Sequence, residues 1–132
     1  MQEIFINLKE YLIIKNFLEV LNGLDNTILL LVISLPIGFV LSLIFALGRV
    51  SKFTFISKPI AGYIFVIRGT PLLVQIYLIY FGLGQIKAIQ DTFLWYILES
   101  SLWCGVIALT LNTVAYGAEV FRGGIQSINK GQ

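Results

Sequence analysis

Three long apolar runs dominate this sequence and constrain its fold more than any other feature. They cover about residues 27–47, 60–84 and 101–121. A helix needs about 20 apolar residues to cross the roughly 30 Å hydrocarbon core of a bilayer. Because lipid offers the backbone no hydrogen-bond partners, each run must be helical. The sequence therefore predicts an all-α membrane protein with three transmembrane helices.

The composition supports a membrane protein and excludes several other classes. Of the 132 residues, 58% are hydrophobic and 12% are charged, whereas a soluble domain contains about 25% charged residues. The net charge of +2 is too small and too dispersed for nucleic-acid binding. The chain has no histidine and a single cysteine, Cys104. We therefore expect no metal site, no disulfide within the chain and no catalytic residue.

The amino-terminal segment, residues 1–22, differs from the three runs because charged residues alternate with apolar ones at a near-helical period. This pattern predicts a short interfacial helix on the periplasmic side of the membrane, and the alternative is a frayed tail. Polar residues and a glycine at positions 22–26 predict a turn into the first span. The chain then divides into residues 1–22 and a membrane domain, residues 23–132.

Charges in the loops predict the orientation of the spans. Arg49, Lys52 and Lys58 lie between the first two spans without an acidic residue, and the polar tail, residues 122–132, carries two cations and no acid. Cytoplasmic loops are enriched in lysine and arginine. We therefore expect the first loop and the tail in the cytoplasm and the amino terminus outside.

The second span contains the motif Arg68-Gly69-Thr70-Pro71. An arginine at the centre of a membrane helix costs about 2.5–3.5 kcal/mol, and the neighbouring glycine and proline loosen the same turn. Gln75 follows Arg68 by seven residues, so on a continuous helix the two share a face. This polar face predicts a cavity or a neighbouring helix, and the alternative is an Arg68 side chain that extends to the nearer membrane surface.

The third span places Asn112, Tyr116 and Glu119 on one helical face. Asn112 either belongs to a functional face or only forms a hydrogen bond between helices. Arg68 and Glu119 are both expected in the cytoplasmic halves of antiparallel spans. We therefore hypothesise an ion pair between them, since each would otherwise be a poorly solvated charge.

The first span carries a stripe of small residues, one at every fourth position, that lets another helix approach closely. Chance is the alternative, because small residues are common in membrane helices. The residues of this predicted packing stripe are Ser34, Gly38, Ser42 and Ala46.

Three motifs together resemble a known family. They are Gly23–Thr27, which enters the first span, Ile67–Gln75 followed by Leu78–Gly82 in the second, and Ala118–Gln132 at the end. They occur in the same order, from Gly23 onward, in the inner-membrane permease subunits of bacterial ABC importers. The likeness is greatest to the branch that imports polar amino acids such as histidine, glutamine, glutamate and arginine.

The resemblance implies a type I ABC importer permease fold and a set of partners. These would be a second permease subunit, the same or different, a periplasmic amino-acid-binding protein and a cytoplasmic ATPase dimer. ATP and magnesium would bind to the ATPase, because this chain has no phosphate-binding loop of the Walker type. We expect the following residues on the pathway or between subunits: Arg68, Thr70, Pro71, Gln75, Asn112 and Glu119. We expect the following on the side that couples to the ATPase: Arg122, Gly123, Gly124, Lys130 and Gln132.

In that family a coupling helix and two further spans follow the segment that resembles Gly131–Gln132. We therefore expect this chain to be a carboxyl-terminally truncated permease that forms a pathway without hydrolysing ATP. The alternative is a non-transport structural subunit or an inactive truncated permease. An intramembrane enzyme is disfavoured, because the sequence has no histidine and no paired carboxylates within its spans.

Overall fold

The structure is a computed structural model that describes the backbone of residues 2–127 and the side chains of residues 11–21 and 23–127. Every regular element in that range is helical. The elements are α1 (Gln2–Val50), α2 (Thr54–Gly69), α3 (Leu72–Tyr77), a π-helical turn (Leu78–Gly82), a 3-10 turn (Leu83–Gln85), α4 (Lys87–Gln90), α5 (Trp95–Leu98) and α6 (Ser101–Ser127).

Helix α1 continues through the turn predicted at residues 22–26, so that prediction is wrong. The glycine there costs only about 1 kcal/mol inside a helix, and the Thr27 hydroxyl donates a hydrogen bond to the Gly23 carbonyl, 3.2 Å away. The first span and the amino-terminal segment therefore form a single helix. The interfacial position of residues 1–22 stays a prediction.

Two helices are long and apolar enough to cross a membrane, namely α6 and the part of α1 from Tyr11 to Val50. The second predicted span, residues 60–84, is not one helix. Its two halves, Thr54–Gly69 and Leu72–Gln85, meet at an angle of 107°. Arg68 and Gln75 lie on opposite sides of this break, so the prediction that they share a helical face is wrong.

The predicted polar tail begins as helix, because α6 continues to Ser127. Two contacts explain why the helix extends beyond the predicted span. The Arg122 guanidinium binds side chains one turn on either side of it, Glu119 and Gln126, and the Ser127 hydroxyl donates to the Gly124 carbonyl. These interactions hold the last turns helical although the sequence has two glycines there. Lys130 and Gln132 lie outside the described residues.

Helices α1 and α6 run parallel and touch through small residues. The residue numbers of the contacting pairs increase together along both helices, as they do when two helices run in the same direction. Each pair contains one glycine, and a Cβ atom added to that glycine would lie close to the partner side chain. The distance between them is 3.2 Å for Leu30–Gly105, 2.7 Å for Gly38–Thr113 and 2.8 Å for Ser42–Gly117. The backbones are therefore as close as their side chains permit.

Gly38 and Ser42 of the packing stripe lie in this contact, and the other two residues of the stripe are buried as well. Ser34, Ser42 and Ala46 are 0–1% exposed, and Gly38 is also buried. Both serine hydroxyls donate to carbonyls of their own helix, at 2.6 and 2.7 Å. Since no polar group of the stripe needs a partner on α6, close packing is what holds the two helices together here.

Helix α2 returns against the opposite part of α6. Ile64 is buried among Ala115 and Ala118, and the Tyr63 hydroxyl donates a 2.6 Å hydrogen bond to the Leu111 carbonyl. The break that follows α2 is thereby held beside α6.

Candidate functional site

The break between α2 and α3 follows directly from Pro71. Proline has no N–H to continue the helical ladder, and its ring forces the preceding residue into an extended conformation. Thr70 accordingly has φ −117° and ψ 139°. Helix α2 ends at Gly69, and the chain changes direction before α3 begins.

Side chains supply the hydrogen bonds that the break removes. In an unbroken helix the Ile67 carbonyl would accept from residue 71, which is proline. The Gln75 side-chain amide instead donates to the Ile67 carbonyl at 2.8 Å, and its nitrogen lies 3.0 Å from both oxygens of Thr70. The Thr70 hydroxyl donates to the Val66 carbonyl at 3.0 Å. Side chains at the break therefore satisfy its backbone carbonyls, which lipid could not do.

Asn112 connects this arrangement to α6. Its side-chain nitrogen lies 3.4 Å from the Gln75 side-chain oxygen, and Gln75 is only 6% exposed. We call Thr70, Gln75 and Asn112 the Gln75 network. It is neutral, and it fixes the start of α3 against both α2 and α6.

A second, charged group surrounds Glu119, and we call Arg49, Arg68, Glu119 and Arg122 the Glu119 cluster. Arg122 forms the shortest contact, with its guanidinium nitrogens 2.7 and 3.0 Å from one carboxylate oxygen. Arg49 lies at 3.9 Å and Arg68 at 4.0 Å. The hypothesised contact between Arg68 and Glu119 is therefore the longest of three, and the carboxylate is shared rather than paired.

The sequence left two alternatives for Arg68, a contact with a cavity or neighbouring helix and an extension to the surface, and the structure shows both. The Arg68 guanidinium lies 5.2 Å from the centre of the Tyr116 ring, a cation–π distance. It is also 45% exposed and lines a cavity of about 680 Å³ beside α2, with Arg49 and Glu119. Arg68 thus reaches the surface while it contacts α6.

The six predicted pathway residues therefore fall into two groups. Thr70, Pro71, Gln75 and Asn112 form or close the break, whereas Arg68 and Glu119 meet in the charged cluster. Of the residues expected on the coupling side, Arg122 joins the cluster. Gly123 and Gly124 are exposed, with nothing within 4 Å of an added Cβ.

Sequence reasoning missed Arg49, Tyr63 and Gly117. Arg49 was counted only as a loop charge, although it is the penultimate residue of α1. Gly117 follows Thr113 and Gly105 at multiples of four residues, and this second stripe of small residues could have been found. No local signal points to the bond of Tyr63 with a backbone carbonyl.

The two groups of residues present different chemistry to their surroundings. Within the described part of the chain, no three Cys, Asp or Glu side chains come together as metal ligands. The Gln75 network holds the break in place through neutral hydrogen bonds, and the Glu119 cluster presents guanidinium groups to a cavity.

Comparison with known proteins gives a consistent result. Residues 20–132 match the family described as "Binding-protein-dependent transport system inner membrane component". The octopine transport system permease protein OccM of Rhizobium radiobacter is 45% identical over 118 residues, 89% of this chain and 48% of that protein. The histidine/lysine/arginine/ornithine transport system permease protein HisM of Escherichia coli is 43% identical over 111 residues, 83% of this chain and 47% of that protein.

A solved structure agrees with the fold. The crystal structure of an amino acid ABC transporter with histidines has a TM-score of 0.71 and 37% identity, covering 90% of this chain and 51% of the matched chain. This likeness confirms the predicted all-α permease fold. The chain spans about half the length of these relatives.

Proposed function

The chain belongs to the family of binding-protein-dependent transport system inner membrane components, and from that premise we propose that it forms part of the pathway of an ATP-driven amino-acid importer. As a member of this family with apolar spanning helices, it is an integral protein of the inner membrane. The amino acid that it helps to move is a polar one, of the kinds named in the octopine, nopaline and arginine permeases among its relatives.

The broken second span is the observation that carries this proposal. Discontinuous membrane helices in transporters commonly lie at substrate and ion sites, because their freed backbone groups need polar surroundings. Here the break is capped from within, and an arginine just before it lines a cavity. A charged residue within a membrane segment is by default a functional candidate. An inert scaffold would need neither the break nor the charge.

The same proposal assigns partners and an orientation. A second permease subunit, identical or different, would complete the pathway, and a periplasmic protein would deliver the amino acid. A separate ATPase dimer would bind ATP and magnesium and dock near the end of α6, where Gly123 and Gly124 are exposed. The amino terminus would then be periplasmic, as the positive charges between the first two spans favour.

Uptake by reconstituted vesicles tests this function. The chain would be co-purified with its partner subunits, and ATP-dependent uptake of labelled amino acid would be compared for the wild type and Arg68→Gln. We expect Arg68→Gln to lower uptake by about tenfold or more, because it removes a charge from the cavity. Lys58→Gln, an equal charge change on exposed α2 surface, should have little effect.

Two outcomes would contradict the proposal. Equal uptake by both variants would remove Arg68 from the pathway. Assembly of the wild-type complex without any ATP-dependent uptake would instead favour a non-transport structural subunit.

A further inference from the structure

The Glu119 carboxylate has more than one set of partners within reach. Arg122, one turn further along α6, donates to both carboxylate oxygens, from its Nε atom at 3.1 and 3.0 Å and from a terminal nitrogen at 2.7 Å. Arg49 of α1 and Arg68 of α2 lie at 3.9 and 4.0 Å, beyond hydrogen-bond distance. In the observed arrangement Glu119 is therefore paired within its own helix, although arginines of two neighbouring helices face the same carboxylate.

The two more distant arginines approach different oxygens of the carboxylate. The Arg49 Nε atom faces Oε1, and the Arg68 Nη1 atom faces Oε2. Each of these distances is about 1 Å longer than an ordinary hydrogen bond, so a small rotation of the side chains would close it. Glu119 thus has a second arrangement available, in which it leaves Arg122 and links α6 to α1 and α2.

Arg49 provides an energetic reason for this exchange of partners. Its Nε atom is buried and has no hydrogen-bond partner among the described residues, and a buried donor without a partner raises the free energy of the observed arrangement. Pairing with Glu119 would remove that cost. Arg122, in contrast, is 28% exposed and also binds Gln126, so water and that amide can replace the carboxylate.

The exchange would change the charge that the cavity presents. Arg49, Arg68 and Glu119 line the cavity of about 680 Å³, whereas Arg122 is not part of its described wall. While Glu119 is hydrogen-bonded to Arg122, the Arg68 guanidinium is open to an anionic group that enters the cavity. Once Glu119 is hydrogen-bonded to Arg68, that positive charge is neutralised.

We propose that Arg122 regulates this cavity by holding the Glu119 carboxylate away from Arg68 and Arg49. Release of Glu119 from Arg122 lets the carboxylate pair with the cavity arginines and neutralise them. Arg122 lies towards the end of α6, where the ATPase is proposed to dock, so an event at that surface changes the cavity through the exchange of one ion pair. This inference rests on the proposed function, because it assumes that the cavity belongs to the transport pathway.

A rescue experiment in the uptake assay tests the proposal. Arg122→Gln should lower ATP-dependent uptake by about tenfold, as Arg68→Gln does, because the freed carboxylate neutralises Arg68. Adding Glu119→Gln to Arg122→Gln should raise uptake again severalfold, because no carboxylate is left to pair with Arg68. The same addition should not rescue Arg68→Gln. Damage to the fold by Arg122→Gln would be deepened, and not reversed, by the second substitution.

Thermal unfolding of the purified chain in detergent gives a readout that does not depend on transport. Arg68→Gln should lower the unfolding temperature more in the Arg122→Gln background than in the wild type, because Arg68 and Glu119 form a hydrogen-bonded pair only there. Lys58→Gln, which removes an equal charge from exposed α2 surface, should have the same effect in both backgrounds.

Three results would overturn the proposal. They are wild-type uptake by Arg122→Gln, a further loss of uptake when Glu119→Gln is added to it, and an equal effect of Arg68→Gln on the unfolding temperature in both backgrounds. Each leaves the proposed transport function intact as long as the wild type takes up amino acid. Absence of wild-type uptake would contradict that function, and the unfolding comparison would then decide the exchange by itself.

Discussion

The two sides of α6 are built in opposite ways. Towards α1 it presents Gly105, Thr113 and Gly117, which approach the partner helix so closely that an added Cβ would collide in two of three contacts. Towards α2 and α3 it presents Asn112 and Glu119, which hold polar and charged partners at 3–4 Å. The first side is held by close packing alone, whereas the second combines the apolar contact of Ile64 with polar and charged contacts and borders a cavity.

The α1 side of α6 is complete within this chain, whereas the α2 side still offers charged groups to other molecules. On the α1 side, shape alone fixes the register, and every serine hydroxyl of the stripe has a partner within its own helix. On the α2 side, the neutral Gln75 network is complete, but the Glu119 cluster retains excess charge. Substitutions on the two sides should therefore fail for different reasons.

The largest expected effect lies on the α1 side, at Gly117. A Cβ there would lie 2.8 Å from the Cβ and hydroxyl of Ser42, so Gly117→Leu must push the helices apart and should destabilise the fold by about 3 kcal/mol. The measurement is thermal unfolding in detergent, followed by the reaction of a thiol dye with Cys104, which is 0% exposed.

Gly123→Leu is the matched control for that experiment. It makes the same change on the same helix where an added Cβ has nothing within 4 Å, and leucine favours a helix over glycine by about 1 kcal/mol. Its unfolding temperature should be unchanged or higher. A similar loss in both variants would mean that the close approach of α1 and α6 does not determine stability.

The next effect tests the polar side at Gln75. Gln75→Leu keeps the bulk but leaves the Ile67 carbonyl without the donor that replaces the missing proline N–H. That carbonyl then keeps only the long bond from the Thr70 N–H, at 3.4 Å, and the Asn112 side chain loses its Gln75 partner. Loss of these buried hydrogen bonds costs about 2 kcal/mol, and α3 loses its side-chain attachment to α2. The same thiol assay should report lower stability.

Gln90→Leu serves as the control, because Gln90 donates a 2.7 Å bond to the Gly84 carbonyl at an exposed position. Water can replace that bond, so stability should change by less than about 0.5 kcal/mol. If Gln75→Leu changed stability as little, the hydrogen bonds of Gln75 at the break would not stabilise the fold.

The sequence predicts features that depend on local periodicity. The three apolar runs and the stripe from Ser34 to Ala46 needed only the sequence pattern, and the structure places Gly38 and Ser42 of that stripe in the α1–α6 contact. Periodicity fails where the chain stops being helical. Arg68 and Gln75 seemed to share a face only because the helix was assumed to continue through Pro71.

A closer chemical reading would have found the role of Gln75. Pro71 removes the regular helical donor of the Ile67 carbonyl, and the nearest side-chain amide along the chain belongs to Gln75. The charged cluster was harder to predict, because its members come from three helices. The sequence brought Arg68 and Glu119 together on charge alone, but the approach of Arg49 depends on how α1 packs against α6.

The smallest expected effect comes from the single hydrogen bond of Tyr63, which lies outside the Gln75 network. Tyr63→Phe removes the 2.6 Å bond to the Leu111 carbonyl. That carbonyl lies inside α6, where the helical ladder still provides a donor, so the loss should be only about 0.6 kcal/mol, the average for such bonds between membrane helices. Tyr77→Phe, at a 56% exposed side chain, should change nothing measurable in the thiol assay. A loss at Tyr63 as large as that at Gln75 would show that the bond to α6, and not the capping of the break, holds α2 in place.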